Sequence, residues 1–227
     1  MVATWATPST FDFDKLTFAD KLGTTKRGGK YAEVAYEGRQ LFFQLGDSPR
    51  DALRCPFGLD TPSADETDKR VVKLELAPGP HAFLNKFDEA LVAAAERNSM
   101  EWFKKSTPSA DHVSSIKTHN GGLPDVVKLK VQMDGERATK VFVSSWRNDK
   151  ITKPVKGSLA DLEKSKDHDL MLLPIVRVQG GVYFMNRTYG TSLYADQLLV
   201  IKRPVEGHHD KTFEMGDVEM TDVEDDE

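Results

Sequence analysis

Three stretches of the chain set cationic side chains beside aromatic ones. They are Lys26-Arg27-Gly28-Gly29-Lys30-Tyr31, then Lys140-Val141-Phe142 leading to Trp146-Arg147, Lys150 and Lys153, and finally Arg177 followed by Tyr183, Arg187 and Tyr189. An unpaired nucleic-acid strand asks for this combination: cations along its phosphates and ring faces on which bases stack, at about 1–3 kcal/mol per base. The stacking candidates are Trp146, Phe142 and Tyr183, and the phosphate candidates are Lys128, Lys130, Lys140, Arg147, Lys150, Lys153 and Arg177. Trp146 leads because it ends a strand-like run against the polar, basic Arg147-Asn148-Asp149-Lys150, a loop that is hard to bury. Taken singly, Phe42, Phe43, Phe142, Tyr183 and Phe184 read as core and each lysine as solvated surface, so only the clustering points to a ligand.

Charge is divided unevenly. Residues 206–227 hold ten carboxylates against the single Lys211, a net of −9, which leaves 30 basic and 26 acidic residues in the body, a net of +4, although the whole chain reads −5. A basic body with an acidic tail fits a polyanion-binding groove with which the tail competes, and Asp217, Glu219, Asp222, Glu224, Asp225, Asp226 and Glu227 are the partner-binding candidates. The plain alternative for the tail is solubility, since like charges repel and stay disordered. The alternative for the whole chain is an acidic-tailed chaperone of histones or other basic proteins, which the basic body disfavours.

Signals for catalysis are absent from the motifs. No Gly-x-Ser-x-Gly, Walker-type loop or His-Glu-x-x-His occurs, and His81, His112, His119 and His168 lack partners at metal-ligand spacing, so no enzyme activity, metal or cofactor is expected. The lone Cys55 fits a reducing compartment and a packing role. No basic-then-apolar leader and no run of roughly 20 apolar residues appears, so an intracellular protein without a membrane partner is expected.

These side chains need elements to hold them. Residues 31–36 and 41–45, split by Glu37-Gly38-Arg39, predict a hairpin, and residues 71–76 a strand. Across 81–105, Leu84, Phe87, Leu91, Ala94, Ala95 and Trp102 recur at helical spacing and predict one helix of about six turns, with Pro80 in its first turn. Residues 126–133 alternate apolar Val127, Leu129 and Val131 with outward Lys128 and Lys130, and Asp134-Gly135 predicts a hairpin into 139–144. Residues 170–178 and 182–186 are expected to form a hairpin about Gly180-Gly181, before a last strand over 193–202, with Pro174 at an edge or bulge. Many short strands and a single helix favour a mainly β barrel or sandwich over a parallel α/β fold. The chain divides into a flexible extension, 1–27, one binding domain, 28–204, and a disordered acidic tail, 205–227.

This order of elements resembles the single-stranded DNA-binding proteins of short-tailed T-odd phages and their counterparts in large DNA viruses of eukaryotes. Similarity is strongest over residues 169–204, and Pro56-Phe57-Gly58 matches a pattern of the eukaryotic-virus branch. The resemblance implies an OB-fold-like Greek-key β-barrel with one long inserted α-helix. It also implies sequence-independent binding of single-stranded DNA in replication, recombination or repair, in the host nucleus or a cytoplasmic viral replication site. Polymerase or primase-helicase would be the tail's partners, and the tail would support a homodimer. One departure is that this tail ends in Asp225-Asp226-Glu227, where the phage family ends in an aromatic residue.

Overall fold

Wherever apolar side chains fall at every second position the backbone pairs into sheet, and the one stretch with a 3.6-residue period forms the long helix. The structure, a computed structural model, describes residues 5–60, 69–119, 121–147, 150–163 and 168–204. In chain order the first strands are β1 (Leu16–Thr24), β2 (Lys30–Tyr36), β3 (Arg39–Gln40), β4 (Phe42–Gln44), β5 (Leu53–Arg54) and β6 (Lys69–Glu75). Helices α1 (Pro78–Arg97) and α2 (Ser99–Phe103) follow, and then β7 (Asp111–Val113), β8 (Ile116–Lys117), β9 (Val126–Gln132) and β10 (Lys140–Arg147). The chain continues through β11 (Lys150–Ile151) and β12 (Val155–Lys156) to the long pair β13 (His168–Met185) and β14 (Thr188–Pro204).

Five of these units close a barrel. β4 and β5 pair antiparallel with β13, β13 with β14, and β6 with β9, while β9 runs parallel to β14. An antiparallel bridge between Leu59 and Val72 closes the ring between the β5 segment and β6. Numbered along the chain, the barrel strands lie side by side as one, two, three, five, four and back to one, with three and five parallel, which is the Greek-key order of the OB fold. Helix α1 is inserted between barrel strands two and three. It buries Phe83, Leu84, Phe87, Leu91, Ala94 and Ala95, and Phe83 and Phe87 meet the ring of Phe43 from barrel strand one. Each large side chain among them contributes about 1.5–3 kcal/mol through burial.

Several local expectations are corrected. The helix is broken: Asn98 (φ −99°, ψ 15°) ends α1, and Lys104 in the left-handed region ends α2. Residues 5–27, expected as part of a flexible extension, are folded, because Phe11 and Leu16 are buried, β1 pairs with β2, and Trp102 Nε1 donates to the Ala19 and Asp20 carbonyls at 3.1 Å each. The first hairpin turns at Glu37-Gly38, but only Arg39 and Gln40 pair back on β2, and residues 42–44 leave for β13.

The expected hairpin at Asp134-Gly135 is not one. β9 and β10 both run parallel to β14, Val131 opposite Ala195 and Lys140 opposite Gln197, so the chain leaves the edge of β14 and rejoins it in the same direction. Thr139 staples the excursion, its hydroxyl accepting from Gln132 N–H at 3.0 Å and donating to the Ala195 carbonyl at 2.7 Å.

Gly180-Gly181 is likewise no turn. β13 passes through it unbroken, and three residues, 179–181, stand where β14 has only Ser192, since Val178 opposes Leu193 and Val182 opposes Thr191. The reversal is made by Asn186-Arg187, both at positive φ, the geometry of a two-residue hairpin loop. Pro174 does adjoin a bulge, at the register shift between Ile175 and Val176. At Gly181 (φ +68°) a side chain would collide with the Ala32 carbonyl of β2, whereas at Gly180 (φ +74°) it would meet nothing. The double glycine thus lets β13 exchange β4 for β2 as its neighbour. Gly180→Ala is expected to cost about 1–2 kcal/mol in a urea unfolding curve, from the left-handed backbone alone. Gly181→Ala should cost clearly more; equal losses would contradict the close approach to β2.

Candidate nucleic-acid interface

Beside the bulge the outer face of the barrel hollows into a groove of about 670 Å³, within the roughly 300–1,000 Å³ range of small-molecule sites. Four lysines line it: Lys30 from β2, Lys117 from β8, and Lys128 and Lys130 from β9; no carboxylate does, among the described residues. Its aromatic wall comprises Tyr31, Tyr183, Phe184 and Tyr194, and Met185, 63% exposed, stands at its lip.

Register explains how the tyrosines are presented. Gly23, Tyr31, Tyr183 and Gly190 stand in one row across β1, β2, β13 and β14. A Cβ on Gly23 would lie 2.6 Å from Tyr31 Cζ, and one on Gly190 would lie 3.1 Å from the Tyr183 hydroxyl. Each ring therefore lies across a glycine of the strand beyond it, leaning away from the other tyrosine. Burial raises the Tyr183 phenol above its ordinary pKa, so the ring is a neutral stacking surface at neutral pH.

A second row runs through Arg177, Tyr194, Lys130 and Val71 on β13, β14, β9 and β6. Lys130 Nζ lies 5.6 Å from the centre of the Tyr194 ring and the Arg177 guanidinium 5.8 Å from it. Lys130 also reaches the Ser192 hydroxyl at 3.4 Å. In the next row on that face Lys73 faces Lys128 directly. Like charges opposed across a strand pair are destabilising unless an anion lies between them.

Helix α1 fixes the remaining wall. Asp88, buried on the helix's apolar face, accepts hydrogen bonds from the Ser114 hydroxyl (2.7 Å), the Ser115 N–H (2.9 Å) and the Ser115 hydroxyl (2.8 Å). Both serines line the groove, and Lys117 follows them. His112 lies 3.8 Å from Asp88, and burial lowers its pKa against the opposing pull of that carboxylate.

Of the residues expected from sequence, the groove gathers Tyr183, Lys128 and Lys130. Arg177 is 3% exposed, beneath Tyr194 and 3.7 Å from Asp196, so it polarises the ring above it and does not reach a phosphate from this position. Burial lowers its pKa while Asp196 raises it, and among the described residues its Nε and Nη2 have no hydrogen-bond partner. The Phe142–Trp146 cluster stands apart. Phe142 and Trp146 are half-buried on β10, with Lys140, Lys150 and Lys153 exposed around them. β10 pairs with residues 197–202 of β14, beyond the groove's 191–194, which puts Trp146 about 30 Å from Tyr194 along the strand at ~3.3 Å per residue. The Arg147 side chain and the tail residues Asp217, Glu219, Asp222, Glu224, Asp225, Asp226 and Glu227 lie outside the described residues.

Tyr194 and Lys117, which line the groove, and Lys73, which faces Lys128 beyond it, were not among the expected site residues, because only cross-strand pairing places them there. Asp88 does leave a signal, a carboxylate at helical spacing between Leu84 and Leu91 on an otherwise apolar face.

Among the described residues no cluster of His, Cys, Asp and Glu could hold a metal ion, and no helix is long and apolar enough to cross a membrane. No family model and no curated protein matches the chain. Solved structures similar to it include the single-stranded DNA-binding protein from bacteriophage Enc34, at 13% identity, covering 86% of this chain and 96% of that one with a TM-score of 0.44. The same phage protein in complex with single-stranded DNA matches at 11% identity, 82% and 96% coverage and a TM-score of 0.43. Its C-terminal truncation matches at 11% identity, 82% and 95% coverage and a TM-score of 0.42.

Cys55 is buried, and desolvation pushes its thiol up to about 11. At pH 8 the thiol is therefore protonated and shielded, and a disulfide-exchange reagent should label it only on the timescale of unfolding. Rapid labelling of the native protein would contradict this placement.

Proposed function

We propose that this chain binds single-stranded DNA along the Tyr31–Tyr183 groove without reading its sequence. One observation carries the proposal: two tyrosine rings held across glycines in a concave face, with four lysines and, among the described residues, no carboxylate around them. Ring faces accept any base, and ammonium groups track phosphates, so the arrangement favours unpaired strands over a particular sequence. The groove also occupies the face of barrel strands two and three and extends onto the hairpin of strands four and five, the region where OB barrels take oligonucleotides.

In this reading the protein works in DNA replication, recombination or repair during viral growth, in the nucleus or a cytoplasmic replication site. The acidic tail competes with DNA for the lysines when idle and recruits basic surfaces of polymerase, primase-helicase or a second copy when displaced.

Fluorescence anisotropy with a labelled single strand, with duplex and RNA of the same sequence as competitors, tests the reading. Single strands should bind more tightly than duplex and more weakly in salt. Tyr31→Ala and Tyr183→Ala should each weaken binding by about 1–3 kcal/mol, and Lys130→Ala should lower the salt slope by roughly one. A truncation after Val205 should bind more tightly than the full chain. Equal affinity for duplex, or tyrosine variants that bind like the parent, would sink the proposal.

A further inference from the structure

We propose that Phe57 is a base-stacking residue lying one cross-strand pair beyond the groove, so that the bound strand runs past Lys128 and Lys73 onto its ring; the inference rests on the groove being a single-stranded DNA site. Phe57 is 65% exposed, although the chain has a large core in which a phenylalanine could be buried. Its exposure is not that of a loose loop. The Gly58 N–H donates to the Cys55 carbonyl at 3.4 Å, and the Cys55 thiol to the Gly58 carbonyl at 3.6 Å. On either side, Cys55 N–H donates to the Leu170 carbonyl at 2.8 Å and Leu59 N–H to the Leu162 carbonyl at 2.9 Å. Cys55 and Leu59 are buried, Pro56 restricts the turn, and Gly58 takes the positive φ that closes it. The turn is anchored at both ends and carries the ring at its tip.

Charge links this ring to the groove. Lys73 Nζ lies 5.8 Å from the Phe57 ring centre, and Lys73 faces Lys128 across β6 and β9. Lys128 lines the groove. A phosphate between the two lysines would relieve their repulsion, and the base attached next to it would then meet the exposed ring, whose other neighbour is a cation that strengthens stacking on an aromatic face. Phe57 thus adds length to the binding track, and it belongs to a loop that joins barrel strands one and two, the other loop by which OB barrels hold oligonucleotides.

The test uses full-length protein with oligothymidylates of about 4 and about 16 nucleotides, the span of OB site sizes. Phe57→Ala should weaken the longer strand by about 5- to 150-fold and leave the shorter one, which fills the groove alone, unchanged. Phe57→Trp should retain the affinity, and the emission it adds over the parent protein should be quenched by the longer strand only. Unchanged affinity of Phe57→Ala for the longer strand, or added emission of Phe57→Trp that the longer strand leaves unquenched, overturns the proposal while leaving the groove standing. An unmutated protein that binds neither oligonucleotide overturns the functional reading beneath it as well.

Discussion

The long ladder between β13 and β14 is the constraint on which the rest of the molecule depends. β13 pairs along its length with β5, β4 and β2, and β14 with β7, β9 and β10, so these six strands take their register from one hairpin. Two bulges shape that ladder. The extra residue at Asp196 sets an ionic partner near Arg177, and the Gly180-Gly181 bulge turns the upper half of β13 toward β2. Without the second bulge Tyr31 and Tyr183 would not share a row.

Electrostatics on this frame run against stability. Lys73 and Lys128 oppose each other, and among the described residues no carboxylate lines the groove beside its lysines, while apolar walls reduce screening by water. A surface under selection for stability alone would alternate signs. Lysines gathered around the groove, with Lys130 over the Tyr194 ring, make sense if an anionic ligand supplies the missing charge.

How far the sequence discloses this depends on whether a feature is local. The alternation of Val127, Leu129 and Val131 with Lys128 and Lys130 is local, and both lysines face the groove as the pattern implies. The helix is local too, except for its break at Asn98, where no proline or glycine announces it. Strand partnership is not local. Asp134-Gly135 has turn chemistry suited to a hairpin, yet parallel pairing of β9 and β10 on β14 overrides it. Gly180-Gly181 satisfies the φ demands of a turn and of a bulge equally, and only contact with Ala32 separates the two. Trp146 stands out in sequence by its loop, but its strand joins β14 far from the tyrosines. Tyr194, which sits under Lys130, looks like any other core aromatic until the parallel ladder is known.

Whether the tyrosine groove binds single-stranded DNA as proposed can be read directly by photocrosslinking. Full-length protein would be irradiated with a single strand carrying 5-iodouracil and the adducts located by mass spectrometry. Adducts at Tyr31 and Tyr183 are the expected result. Adducts confined to Phe142 and Trp146, with the tyrosines unmodified, would contradict it and move the binding surface to β10.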